Sequence, residues 1–183
     1  MNLNPALTDI PAMRQRARQD IDEGAVTSGY KADREAVLKL LNDALATELV
    51  CVLRYRRHYF MAKGIHSKGI AEEFLVHATE ELGHADLLAE RIVQLGGEPD
   101  FSPDTLSKRS HAEYVAADSL VDMIKEDLIA ERIAIDSYRE MVIYLGDQDS
   151  TTRRMLEGIL AVEEEHADEL ADLLNGLPQA LKA

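Results

Sequence analysis

The chain has 183 residues, of which 46% are hydrophobic and 30% charged, and its formal net charge is −14. That length suits one domain able to bury about two-thirds of its unfolded surface without covalent staples. The single cysteine, Cys51, excludes a disulfide framework within the chain and a cysteine zinc site, and the negative balance argues against nucleic acid as the main partner.

Alanine, leucine, glutamate and arginine dominate, while proline and glycine are sparse, a composition that favours long helices over sheets. Residues 1–32 read as an N-terminal extension punctuated by Pro5 and Pro11. A short helix is predicted there from about Ala12 to Gly24, followed by a connector at Thr27-Ser-Gly-Tyr30. Met1 to Pro11 lacks the basic start and apolar core of a signal peptide, and no run of 18 apolar residues follows. A soluble cytoplasmic protein with no membrane contact is the expectation. The basic clusters Arg14-Arg16-Arg18, Arg54-Arg56-Arg57 and Arg153-Arg154 are expected on solvated faces or in salt bridges between subunits.

The first long helix is predicted from about Asp33 to Ala62, with Val37, Leu41, Leu45, Val52 and Tyr55 forming an apolar stripe that Gly64 ends. Glu48 falls inside that stripe, where a carboxylate is costly unless something positive meets it. Cys51, one turn on, reads as a small buried hydrophobe. Ser67 is expected to cap a second helix that reaches about Leu95 and stops at Gly96-Gly97. Its stripe is Ile70, Phe74, His77, Glu81, His84 or Ala85, Leu88 and Ile92. Within it His77 is either a packed, hydrogen-bonded histidine or an outer ligand on a cation's way in.

From Gly97 to about Asp118 runs a linker with Pro99 and Pro103, too long for a hairpin and suited to a crossover along the whole bundle, with a short helix in part of it. The third helix is predicted over Ser119–Leu145, with Val121, Ile124, Leu128, Ile135 and Val142 inward and Glu131 interrupting them. After the turn Gly146-Asp-Gln-Asp149, the fourth runs from Ser150 to about Leu174 and buries Leu156, Ile159, Val162 or Glu163, His166 and Leu170. Residues 177–183 are a tail too short for a fifth helix. The expected fold is all-α: a four-helix bundle over residues 33–176 with a long crossover between its second and third helices. His58, His66 and His111 are expected at the surface, as are Glu80, Glu164 and Glu165.

Two E-x-x-H motifs, Glu81-Leu-Gly-His84 and Glu163-Glu-Glu-His166, carry the chemistry. Glu48 lies 33 residues before Glu81 and Glu131 lies 32 before Glu163, and a tyrosine stands seven residues after each leading glutamate, at Tyr55 and Tyr138. The second half thus repeats the first. On a helix, residues i and i+3 share a face, so glutamate and histidine of each motif can approach the same cluster. Four carboxylates cancel two divalent cations, and oxygen ligands with one imidazole per ion suit iron or manganese better than copper. Helical glutamates are usually solvated. Two motifs on inward faces, each with its inward glutamate upstream, make a dinuclear metal site the stronger reading.

This constellation is the ferritin-like carboxylate pattern, and residues from about Arg34 to Leu174 resemble bacterioferritins and Dps-like mini-ferritins. The stretch from Glu81 to Pro99 is especially bacterioferritin-like. The resemblance implies that Glu48 and His84 hold one iron and Glu131 and His166 the other, with Glu81 and Glu163 bridging. Tyr55 would then be an electron donor beside the centre, or simply a core tyrosine. Bacterioferritins place a haem-ligating methionine after the first motif's glutamate; Leu82 stands there, which argues against haem. The absent fifth helix leans towards a homo-oligomeric shell of 12 subunits rather than 24. The implied activity is a ferroxidase with iron storage, using Fe(II) and O2 or H2O2; a dimanganese or di-iron catalase or peroxidase without storage is the alternative.

Overall fold

The computed structural model describes residues 9–65 and 67–178. Helix α1 (Ile10–Arg16) and a 3-10 turn (Ile21–Glu23) precede the long helices α2 (Arg34–Met61) and α3 (Ser67–Gln94). The short α4 (Leu106–Arg109) lies in the crossover, before α5 (Leu120–Leu145) and α6 (Ser150–Gly176). Every regular element among the described residues is helical. Local chemistry sets the boundaries. The side chains of Asp33, Ser119 and Asp149 accept hydrogen bonds from the backbone N–H of Ala36, Asp122 and Thr152 at 3.2, 3.1 and 2.9 Å, capping α2, α5 and α6. Gly146 ends α5 with φ at 47°, a region that favours glycine.

Short turns fold α2 onto α3 and α5 onto α6, and the two hairpins pack into a four-helix bundle. Its interior has two apolar layers. Val37, Leu41, Leu45, Leu88, Ile92, Tyr138, Leu145 and Leu156 belong to one; Tyr55, Ile70, Phe74, Ile124 and Leu170 belong to the other. On each helix the switch from one layer to the other falls at mid-length, and there sit Glu48, Glu81, Glu131 and Glu163.

The crossover runs along α2. Asn42 accepts the N–H of Asp100 at 2.8 Å, Thr47 Oγ1 accepts that of His111 at 2.9 Å, and Arg54 donates to the Glu113 carbonyl at 3.0 Å. His58 Nε2 then lies 3.1 Å from the Ala116 carbonyl. From Asn42 to His58 that is about 24 Å of helix. These side chains satisfy backbone groups that an unpaired crossover would bury at a cost.

Several details differ from the sequence reading. The N-terminal helix, Ile10–Arg16, ends short of the expected Gly24, and Asp20, with φ at 47°, lies in a left-handed region that interrupts any α-helix across the rest of that span. Ser67 is the first residue of α3, not its cap. On α5 the buried face runs through Asp127, Ala130, Ala134, Tyr138 and Met141, leaving Leu128, Ile135 and Val142 half-buried at its edge. Small and polar residues on that face hide it from a hydrophobicity count.

Arg54 and His58, expected on the surface, are buried. Both bond to the carboxylate of Asp127, Arg54 through Nε at 2.8 Å and His58 through Nδ1 at 2.8 Å. The partner comes from α5, so nothing on α2 announces it; once paired, the charge tolerates burial. His66 lies outside the described residues. His111 is exposed, and so are Glu80, Glu164 and Glu165.

Candidate dinuclear metal centre

Between the two apolar layers, six side chains from four helices meet. Glu48 comes from α2, Glu81 and His84 from α3, Glu131 from α5, and Glu163 and His166 from α6. Each is at most 6% exposed. Their ligand atoms form two sets, Glu48-Glu81-His84-Glu163 and Glu81-Glu131-Glu163-His166, and within each set the atoms lie within 4.8 Å of one another. Glu81 and Glu163 belong to both, the arrangement two neighbouring cations with bridging carboxylates require.

His84 Nδ1 sits 3.0 Å from Glu81 Oε2 and 3.0 Å from Glu163 Oε1, but only the Glu81 contact has hydrogen-bond geometry. Glu81 Oε1, both oxygens of Glu163 and His166 Nδ1 are buried without a hydrogen bond. Buried carboxylate oxygens left this way cost free energy unless a cation meets them. The unpaired atoms sit together, are rich in oxygen and include imidazole nitrogen. That donor set fits hard-to-borderline divalent ions.

Electrostatics point the same way. Burial, then repulsion from Glu81 and Glu163, pushes Glu48 and Glu131 well above the usual carboxylate range. Burial opposes ionisation of Glu81 too, but close contacts with the His166 and His84 imidazoles hold it well below that range. Burial also disfavours charge on the imidazoles. Contacts with Glu163, Glu48 and Glu81 outweigh it at His84, pushing it up to about 12. Contacts with Glu163, Glu81 and Glu80 raise His166 to about 10. Without cations, the cluster balances its charge with protons.

A family model for the ferritin-like domain matches residues 38–180. The chain belongs to the ferritin-like family. Bacterioferritin of Mycobacterium avium is 31% identical over 135 residues, covering 73% of this chain and 80% of the relative. A nutrient stress-induced DNA-binding protein of Synechococcus is 33% identical over 148 residues, 78% of this chain and 81% of that one. Among solved structures, the bacterioferritin-related protein of Bacteroides fragilis, a dodecameric thioferritin, superposes with a TM-score of 0.77 at 31% identity. That match spans 79% of this chain and 88% of the other. A ferritin-like di-iron-carboxylate protein of Bacillus anthracis gives a TM-score of 0.69 at 26% identity, over 78% of this chain and 98% of that one.

Several further residues surround this ferritin-like centre. Tyr55 donates a hydrogen bond to Glu131, and Tyr138 donates one to Glu48. Each tyrosine thus supports the leading glutamate of the opposite half, and the repeat that placed both seven residues after a glutamate is the signal for the pair. Glu80 accepts from His166 Nε2 at 2.8 Å across half-open space, leaving His166 Nδ1 facing Glu81, Glu131 and Glu163. His77 is fully buried, stacks on His166 with ring centroids 4.0 Å apart, and its Nδ1 lies 3.2 Å from the Tyr55 hydroxyl. Cys51 is buried 3.7 Å from Arg54 Nη2. Leu82 points outward, 46% exposed. Among the described residues, no helix is long and apolar enough to cross a membrane.

Proposed function

We propose that this chain is a ferroxidase that also stores iron, taking Fe(II) as its substrate. The observation that carries the reading is the pair of overlapping four-ligand sets sharing Glu81 and Glu163, with unsatisfied carboxylate oxygens at their common point. In this reading Glu48 and His84 hold one ion, Glu131 and His166 the other, and Glu81 and Glu163 span both. Each Fe(II) gives one electron. With two protons the pair reduces O2 to hydrogen peroxide, or hydrogen peroxide to two waters.

The chain's own residues supply geometry and protons. Tyr138 and Tyr55 fix the rotamers of Glu48 and Glu131 through their hydroxyls. Tyr55, at the edge of the cluster, is the candidate electron donor. Protons held on Glu48, Glu131, His84 and His166 leave as Fe(II) enters, so cation binding and proton release are linked. Leu88, Leu45, Phe74 and Ile124 close the apolar layers above and below and keep bulk water from the acids.

Residues 33–176 carry this activity, with 1–32 and 177–183 as appendages. Exposed apolar side chains such as Phe60, Val76, Ile129 and Ile143 leave faces for self-association. A shell of 12 copies is the assembly in this reading, supported by the dodecameric relative. The charge of −14 favours cations over nucleic acid as cargo, and manganese is the alternative metal. An intracellular setting belongs to the same reading.

Stopped-flow oxidation of Fe(II) tests the centre. Glu48→Ala and Glu131→Ala should each slow rapid oxidation by more than the roughly 10–100-fold typical of outer-sphere changes, with helical content retained. Full activity in either variant would rule out the centre. Storage is tested by native mass together with iron content. A small oligomer with two irons per chain would overturn it.

A further inference from the structure

Outside the six-residue cluster, Glu73, His77 and Glu169 form a third group whose ligand atoms lie within 4.8 Å of one another. His77 Nε2 is 3.0 Å from Glu169 Oε2 and 3.6 Å from Glu73 Oε1. The histidine is fully buried, whereas the side chains of Glu73 and Glu169 are 35% and 43% exposed. Both glutamates line a surface cavity of about 540 Å³ between the start of α3 and the end of α6. Asp172 lines it as well, and among the described residues no lysine or arginine does. Such a cleft concentrates cations.

This group connects inward. His77 also belongs to a set with Glu131 and His166, whose ligand atoms again lie within 4.8 Å of one another. Glu131 and His166 in turn belong to the second set of the centre. From the cavity to Glu81 and Glu163, each ligand set therefore shares a residue with the next. A cation moving along this line always has a carboxylate or imidazole in reach.

The internal repeat supplies an independent check. Shifted by the 82 residues that separate the two motifs, Glu73 and His77 correspond to Met155 and Ile159, and Glu169 corresponds to Leu87. The bundle needs no polar residues at this register, since its other half does without them. The polar line exists on one side only.

We propose that Glu73, Glu169 and His77 form a transit site through which a divalent cation passes from the surface cavity to the dinuclear centre. The proposal rests on the reading of that centre as a site for divalent iron. Glu73 and Glu169 capture the ion and shed part of its water. His77 Nε2 completes the set, and the Glu131-His166 side receives the ion first.

The test compares the full-length protein with E73Q/E169Q in two assays: first-turnover Fe(II) oxidation at limiting iron, and Co(II) titration followed by visible absorbance. The control E35Q/D147N removes the same charge at the opposite end of the bundle. In E73Q/E169Q the oxidation rate should fall about tenfold, the low end of what a charge-lined cleft adds to association rates. The capacity for two Co(II) ions in the centre should persist, and the control should match wild type. An unchanged rate, an equal fall in the control, or loss of the two-ion capacity would each overturn the transit site. Wild-type Co(II) uptake no greater than that of E48A/E131A would instead sink the centre itself.

Discussion

Filling the centre with two divalent cations at pH 7 should expel protons, and the structure sets how many. His84 and His166 are pushed up to about 12 and about 10, so both imidazoles are protonated at pH 7 without metal. Ligation by Nδ1 requires both to be neutral, which releases two protons. Glu48 and Glu131, raised well above the usual range by burial and by Glu81 and Glu163, can add one each. The four carboxylates then cancel the charge of two cations. Release should therefore lie between two and four protons per pair of cations. Each proton released makes the overall constant rise tenfold per pH unit, so apparent affinity for the pair should climb at least about a hundredfold from pH 6 to pH 7. Zn(II), which is redox-inert, added to metal-free protein in weak buffer with an indicator dye gives the count directly. Calorimetry in two buffers of different ionisation enthalpy checks it. Binding with no proton release and no pH dependence would refute the reasoning.

The same shifts govern folding of the metal-free protein. The folded state keeps protons on Glu48 and Glu131 that the unfolded chain loses above about 4.5, and on His84 and His166 that it loses above about 6.5. Stability present below those values is lost as pH rises, so the Tm of chelator-treated protein should fall between pH 5 and pH 9; a rise across that window would contradict the assignment. Tyr55→Phe and Tyr138→Phe should each cost on the order of 1–3 kcal/mol by urea denaturation, since each leaves a buried glutamate short of a donor. Equal stability in both variants and wild type would remove the paired support. Asp127→Ala strands buried Arg54 and should cost about 3–5 kcal/mol, with faster amide exchange in the crossover near Glu113 and Ala116. A loss below about 1 kcal/mol would show the network to be idle.

The bundle is legible in the sequence because its helices carry buried faces at a regular 3.6-residue spacing, and Gly64, Gly96, Gly146 and the capping residues fall at their ends. Glu48, Glu81, Glu131 and Glu163 stand out because each interrupts an apolar face at a matching point of an internal repeat. What the pattern hides is pairing between helices. Arg54 and His58 look like surface residues until Asp127 comes up from α5, and an isolated arginine carries no sign of such a partner. On α5, Ala130 and Ala134 bury readily yet add little to an apolar stripe, so the face drifts to Leu128 and Ile135 when read by hydrophobicity. Tyr138 is a different case, since the repeat displays it beside Tyr55 but only the fold shows the crossed bonds to Glu48 and Glu131. Glu80 likewise looks solvated, and its role depends on His166 arriving from α6.

Crystals soaked in a ferrous salt without oxygen, with anomalous data collected at the iron edge, address the centre most directly. Two peaks should appear roughly 3.5–4 Å apart, one beside Glu48 and His84, the other beside Glu131 and His166, with Glu81 and Glu163 between them. A map with no peak among those six side chains, or with iron only elsewhere on the molecule, would contradict the account.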